Sequence, residues 1–537
     1  MVSAAVSLSR ITGLVREMVM ARLFGAGEVY DAFLLGFRIP NLSRNLFAEG
    51  SLSSAFIPTF TYYLTQRGER EAAELSSTVA TAVIVVVGAV CAAGMIFSPE
   101  VVRLMAPGFE QVPGKFALAV LLTRIMFPVL LLVALASQAM GVLNACDQYG
   151  VPALASVFFN IGSVACGLAL GYTVGRVSGR GLIVSMAFGV VAGAALQLVW
   201  QMPSLHRAGF VFRPRVDFGH PGLRRIVGLM APAVLGNAAV QINVIVNTNL
   251  ASGIRDAAGH VMNGPVSWLA YAFRFMQLPL GVFGVAIASA TLPALSRSAA
   301  VERMDEFRST LAQSLGTVLL LTIPSSVGLA VLGESMIGTV YQWGRFQAAD
   351  THQTAVALAC YSVGLAGYSA IKVLAPAFYA LGDAQAPMLV SVASIAINLA
   401  VAWSMVKWTG LGHAGLALAT SVVALFGATM LFAILRVRIR GIHGRRLLAS
   451  ALKITAASAV MGAVCRAASS GIHAAAGAGK FAQLADVSIS IPLGVVAFYA
   501  GARALRVREL EAVSSACYTA IRNAFRPEVG DPPARNR

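Results

Sequence analysis

The sequence predicts an all-α polytopic membrane protein of about 14 transmembrane helices, built as two parallel six-helix repeats around a central cationic cavity plus two extra C-terminal helices. Three observations predict it. The composition is 57% hydrophobic and 12% charged over 537 residues, and the mean hydropathy of +0.75 lies far above that of soluble chains. Apolar runs near the roughly 20 residues that cross a bilayer recur from end to end. These runs mix Gly, Ala, Ser and Thr with Leu and Val and lack a ten-residue alternation, which fits helices rather than an outer-membrane barrel. The second observation is an internal repeat, and the third is charge placed inside otherwise apolar spans.

Taken in order, the first span is expected at 3–25. "MVSAAVSLSRITGLVREMVMARLFG" has no basic region ahead of its apolar part and carries arginines within it, so it reads as a retained span and not a cleaved signal. Spans at 30–62, 75–98, 116–144, 152–174 and 181–202 complete an N-terminal lobe, residues 1–205. A basic linker at 206–226 follows, holding Arg207, Arg213, Arg215, Arg224 and Arg225. Spans at 223–251, 264–296, 310–340, 352–381, 387–407 and 412–435 form a second lobe, 227–440. The two extra helices are expected at 447–467 and 483–505, within 441–508, and a tail occupies 509–537.

Basic residues choose the orientation. Arg436, Arg438, Arg440, Arg445 and Arg446 lie on the same side as the linker, as do Arg67, Arg70, Arg297, Arg303 and Arg308. The positive-inside rule makes that side the cytoplasm, with both termini there. The net charge of +17 is carried by arginines that flank spans instead of forming a separate basic domain, so membrane lipid headgroups and not nucleic acid are the expected neighbours.

The repeat is read from two pairs of segments. "FRIPNL…SAFIP" at 37–58 is echoed by "FRFMQL…SATLP" at 273–293, with offsets of 274 − 38 = 236 for Arg and 293 − 58 = 235 for Pro. "LNACDQYGVPALAS" at 143–156 is echoed by "FYALGDAQAPMLVS" at 378–391, with 383 − 147 = 236 for Asp and 387 − 152 = 235 for Pro. An even number of spans per copy makes the copies parallel, an arrangement that places a cavity between two lobes.

The internal charges indicate what the cavity holds. Asp31, Arg38, Asn41, Asn45 and Glu49 are spaced to fall on one helical face, with Pro40 expected to bend the helix. In the first span Arg10 and Glu17 share a face and Arg16 lies to one side. A charge at the bilayer centre costs at least about 2.5–3.5 kcal/mol, so such residues need water, a partner or a substrate. Internal pairing, for example Arg10 with Glu17 or Arg38 with Asp31, is the bland reading. Arg10, Arg16, Arg22, Arg38, Arg44, Arg124, Arg274 and Lys372 nevertheless outnumber Glu17, Asp31 and Glu49, and an excess of cationic charge calls for an anion.

Covalent chemistry is not expected, so the chain reads as no enzyme. "AGAGKF" at 476–481 lacks the spacing and terminal Ser/Thr of a phosphate loop, so no ATP is expected. Cys91, Cys146, Cys166, Cys360, Cys465 and Cys517 have no metal-ligand or redox spacing. His206, His220, His260, His352, His413, His443 and His473 fall mainly in expected loops and read as surface residues. No cofactor and no metal are expected; Asp383 is a weak cation candidate, with turn capping as its plainer role.

"SRITGLVREMVMARLFGAGEVYDAFLLGFRIPNLSRNLFAEGSLSSAFIP" closely resembles the start of the lipid II flippase family, MurJ or MviN. "LMAPAVLGNAAVQINVIVNT" at 229–248, "GVFGVAIASATLPALS" at 281–296 and "YSVGLAGYSAIKVLAPAFYALGDAQAP" at 361–387 resemble it too. The resemblance implies a fourteen-helix transporter of the multidrug/oligosaccharidyl-lipid/polysaccharide exporter superfamily. Such a protein moves lipid II, the undecaprenyl-diphosphate-linked peptidoglycan precursor, between leaflets of the bacterial inner membrane. It carries substrate-binding roles onto Arg10, Arg16, Arg44 and Arg274, with Asp31 and Glu49 as matching acids beside Arg38. Asn45, Phe273 and Gln277 depart from the pattern, since relatives often have a basic residue, an Asp and a Glu there. Energy would come from an ion gradient, the membrane potential or downstream consumption. A related exporter of another lipid-linked oligosaccharide or of drugs is the alternative, although a drug exporter should have a less cationic cavity. Asp31 and Glu49 are open to two readings: counter-ions that a diphosphate displaces, or permanent partners in helix packing.

Overall fold

A computed structural model describes residues 2–47, 53–173, 179–442, 444–477 and 479–511. Within them the regular structure is helical from Val2–Phe24 to Lys480–Ala504, with one isolated β-bridge between Arg255 and Val261. A lipid-facing backbone has no water to bond, so each apolar run satisfies its own N–H and C=O groups as a helix.

Among the described residues, 10 helices are long and apolar enough to cross a membrane, or up to 11 if the bent pair Ala348–Ser362 and Leu365–Ala380 is one span. The remaining expected spans are helical but more polar. Val2–Phe24 carries Arg10, Arg16, Glu17 and Arg22, and Glu28–Phe47 carries Asp31, Arg38 and Arg44. Pro221–Ser252 carries Arg224, Arg225 and four asparagines. The helices that fall short on apolarity thus include the two that carry Arg10, Arg16, Arg38 and Arg44, whereas the span that carries Arg274 is among the ten.

Two expected spans are broken, and within a third, at 30–62, the described residues form the helices Glu28–Phe47, with Pro40 inside it, and Ser53–Gln66. The span at 264–296 runs as Pro265–Pro279, a π-helical turn Leu280–Val285 and Ala286–Ala300. Pro279 removes a backbone donor at that junction. The span at 352–381 bends by 44° around Val363 and Gly364.

The matched segments at 143–152 and 378–387 share a local geometry. In the first, the N–H of Gln148 reaches back to the carbonyl of Leu143 with Asp147 at φ 59°; in the second, the N–H of Asp383 reaches Phe378 with Gly382 at φ 73°. Both are Schellman-type helix ends closed by a left-handed residue. The register is therefore 235 throughout this pair: Asp147 corresponds to Gly382, and Asp383 to Gln148, not to Asp147.

The chain divides into two compact units, neither of them one run of sequence. The first comprises Met1–Phe273, Met336–Cys360 and Met388–Val423, and the second Arg274–Ser335, Tyr361–Pro387 and Ala424–Arg537. A core of the first joins Phe56, Phe60, Leu75, Val79, Val142 and Ile226. In the second, Leu320 packs with Ile454, Ala457 and Ala502, so the C-terminal helices Gly444–Ala476 and Lys480–Ala504 are seated on Met304–Tyr341.

In the first unit, two turns meet by backbone contact. Arg345 N–H donates to the carbonyl of Arg22 at 3.0 Å. Gly344, at φ +60°, would bring a Cβ to 2.4 Å from that same oxygen, and Gly25, at φ +67°, would bring one to 2.5 Å from the carbonyl of Arg345. Both positions need glycine for conformation and for space. Gly344→Val is expected to lower the detergent melting temperature by several degrees and to abolish complementation; unchanged melting would show that the turns can separate at no cost.

Candidate functional site

The site is built on the first two helices. Val2–Phe24 is anchored beside Gly150–Thr173 by Asn160, whose Nδ2 donates to the carbonyl of Ser9 at 3.2 Å and to Thr12 Oγ1 at 3.3 Å. On this helix Arg10 is exposed. Arg16 is largely covered, its guanidinium 5.7 Å from the Phe37 ring centroid, 5.5 Å from that of Phe159 and 4.0 Å from the Glu17 carboxylate. Glu17 also accepts a hydrogen bond from Tyr341 Oη at 3.1 Å. Lying over two aromatic rings suits a guanidinium, whose delocalised charge is weakly hydrated.

Arg38 is half-buried, next in sequence to the Phe37 that Arg16 covers, and its Nη1 donates to Thr248 Oγ1 at 2.5 Å. Arg16 and Arg38 thus sit on consecutive helices of the first unit, with different partners. Arg44 sits on the helix Glu28–Phe47, and Glu49 lies outside the described residues. Arg274 belongs to the second unit, where it is exposed and its Nη1 donates to Gln277 Oε1 at 3.3 Å.

Asp31 behaves otherwise. It is 0% exposed, and both its oxygens are occupied. Oδ2 accepts from Lys115 Nζ at 2.9 Å and from the N–H of Gly264 at 2.8 Å. Oδ1 accepts from the N–H of Ser267 at 2.9 Å and from its hydroxyl at 2.5 Å. Gly264 and Ser267 open the helix Pro265–Pro279, so Asp31 caps that helix from a distant part of the chain, supplying acceptors and negative charge to its N-terminus. Lys115 completes the knot: it is 1% exposed, donates to Asn263 Oδ1 at 2.9 Å and lies 4.2 Å from the Phe109 ring centroid. Beside it Tyr30 stacks on Tyr271 at 5.2 Å, and Tyr271 packs against Tyr341 at 4.7 Å. Of the two readings of Asp31, this geometry favours packing.

Lys115, Asn263 and Ser267 were not candidates from sequence. The available signal was a lone lysine opening the apolar run at 116–144, which on burial needs an acid; which acid was not legible. Asp383 accepts from the N–H groups of Gln385 and Ala386, capping Gln385–Trp408, and pairs with Arg438. Among the described residues no group of three or more His, Cys, Asp or Glu could hold a metal ion. Two histidines depart from the expected surface role. His413 is 6% exposed, with Nε2 3.0 Å from the carbonyl of Gln353 and its ring 5.0 Å from Trp268. His473 lies in the last turn of Gly444–Ala476 beside a buried carboxylate.

With this geometry in place, the likeness to known proteins is specific. The family described as lipid II flippase MurJ matches residues 20–484. A lipid II flippase MurJ from Burkholderia cenocepacia is 34% identical over 446 residues, covering 82% of this chain and 83% of that protein. A probable lipid II flippase MurJ from Vibrio cholerae is 34% identical over 453 residues, covering 82% of each. The solved structure of a lipid II flippase MurJ in an inward closed conformation superposes with a TM-score of 0.74 at 25% identity, covering 94% of this chain and 99% of that one. An inward-facing multidrug transporter of the MATE family gives 0.63 at 15% identity, covering 82% and 94%, a likeness of fold alone. By a match that spans most of its length and relatives this close, the chain belongs to the lipid II flippase MurJ family.

Proposed function

We propose that this chain is a transporter that flips lipid II from the inner to the outer leaflet of the bacterial inner membrane by alternating access, for cell wall synthesis. The observation that carries the reading is the family match over residues 20–484; Arg16, packed on Phe37, and Arg38, bonded to Thr248, sit on the first two helices at the start of that match. Lipid II presents a diphosphate on a polyprenyl tail. Guanidinium groups hold phosphate oxygens through paired N–H donors, so Arg10, Arg16, Arg38, Arg44 and Arg274 are the residues assigned to the headgroup, with Glu49 the acid that the sequence pairs with them. Asp31 acts at one remove, by holding the helix that carries Arg274 to the helix that carries Arg38.

The same knot supplies a gate. Asp31 and Lys115 come from the N-terminal lobe at 1–205, and Asn263, Gly264 and Ser267 from the second lobe at 227–440. By the orientation that places both termini in the cytoplasm, these residues lie at the outer end of their helices, and the knot closes that end. Fourteen spans in a six-plus-six-plus-two arrangement fit this reading. So do lobes at 1–205 and 227–440, a cytoplasmic linker at 206–226, the final pair within 441–508 and a tail at 509–537. The reading needs no cofactor, ATP or nucleic acid.

Depletion of the protein followed by a leaflet-specific assay of lipid II tests it. Accumulation in the inner leaflet is expected, reversed by re-expression; an unchanged distribution would overturn it.

A further inference from the structure

The two helices beyond the repeat carry a feature that transport of a headgroup does not use. Asp486, within Lys480–Ala504, is 0% exposed. Its Oδ2 accepts from Ser335 Oγ at 2.5 Å and Ser469 Oγ at 2.7 Å, and its Oδ1 from Ser490 Oγ at 2.6 Å. The ring of His473 stands beside it, Nδ1 3.8 Å from Oδ2, and the histidine side chain is 33% exposed. A carboxylate buried at membrane depth is costly unless a cation answers it. Here the basic group at ion-pair distance is an imidazole, a side chain that carries charge only when protonated.

We propose that His473 and Asp486 form a proton-binding site in the C-terminal helix pair, in which the part-exposed imidazole takes a proton from solvent and the buried carboxylate balances its charge. The tautomer follows from geometry. Nδ1 lies 2.9 Å from the carbonyl of Ser469, which can only accept, so Nδ1 carries hydrogen and the incoming proton binds at Nε2. A metal cation does not fit the same place: it would sit about 2.0–2.6 Å from each oxygen, whereas the hydroxyl oxygens already lie 2.5–2.7 Å from the carboxylate.

The three packed helices carry other titratable groups close in sequence to the pair. Cys465 donates to the carbonyl of Ser490 at 3.5 Å. Glu334, next to Ser335, and Arg466 are exposed, and Lys480 opens the helix that carries Asp486. His473 is the one among them with an ion-pair distance to Asp486. The site stands whatever the chain transports, so its test does not rest on the assigned substrate.

The test uses the full chain in detergent with 13C-labelled histidine, the resonance of His473 being assigned by its loss in His473→Gln. Asp486→Asn should move the midpoint of that resonance's pH response down by about half a unit or more, roughly threefold in proton affinity. A resonance that does not titrate, or a midpoint unmoved by Asp486→Asn, overturns the site. Should Asp486→Asn fail to fold, melting of wild type and His473→Gln gives the same decision. The imidazole attracts the carboxylate only when protonated, so the advantage of the wild type should be larger in acid and should shrink as pH rises. A difference independent of pH overturns the proposal.

Discussion

Asp31→Asn is expected to destabilise the protein by about 3–5 kcal/mol, because it leaves the Lys115 ammonium buried without its counter-ion. The loss has two parts. The ion pair at 2.9 Å is removed, and the N-terminus of Pro265–Pro279 loses a charged acceptor for the N–H groups of Gly264 and Ser267. Lys115→Met removes only the first, leaving the carboxylate with backbone and hydroxyl donors, and should cost less. The double variant, Asp31→Asn with Lys115→Met, should recover part of the loss, since no uncompensated charge remains. Melting in detergent and membrane abundance of the four proteins close this cycle. Additive losses would mean that the two side chains do not act as a pair. A normally stable Asp31→Asn that binds lipid II more tightly would restore the counter-ion reading of Asp31.

Loss of transport is expected for Arg16→Ala, Arg44→Ala and Arg274→Ala, each with membrane insertion intact. A charge-assisted hydrogen bond contributes about 1.5–3 kcal/mol, so one missing guanidinium should weaken diphosphate binding by roughly ten- to over a hundredfold. Arg16 separates charge from shape. Its guanidinium lies over Phe37 and Phe159, and a lysine there keeps the charge while losing the planar fork. Arg16→Lys should therefore be folded, present in the membrane and impaired. Complementation of a depleted strain, with abundance measured alongside, reads all four variants. Normal growth with every one of them would show the arginines to be structural.

The sequence by itself determined that the chain is helical and lies in a membrane, because the bilayer imposes one solution on every long apolar run, and that solution needs only neighbours in sequence. It also marked the helices Val2–Phe24 and Glu28–Phe47 as exceptional, since charge inside a span is visible without knowing any contact. What the charges meet was decided by tertiary structure. Asp31 and Arg38 share a helical face by spacing, yet the carboxylate goes to Lys115 and to a helix N-terminus more than two hundred residues away, while Arg38 reaches Thr248. Helical periodicity says which residues share a face but carries no information on what packs against it. The register of the 143–152 and 378–387 pair shows the same limit in miniature: matching aspartates suggested 236, and the positions of the left-handed residues, Asp147 and Gly382, set 235. The pairing of His473 with Asp486 was likewise hidden, because a hairpin brings the two side chains together only once Gly444–Ala476 and Lys480–Ala504 fold back on each other and onto Ser335.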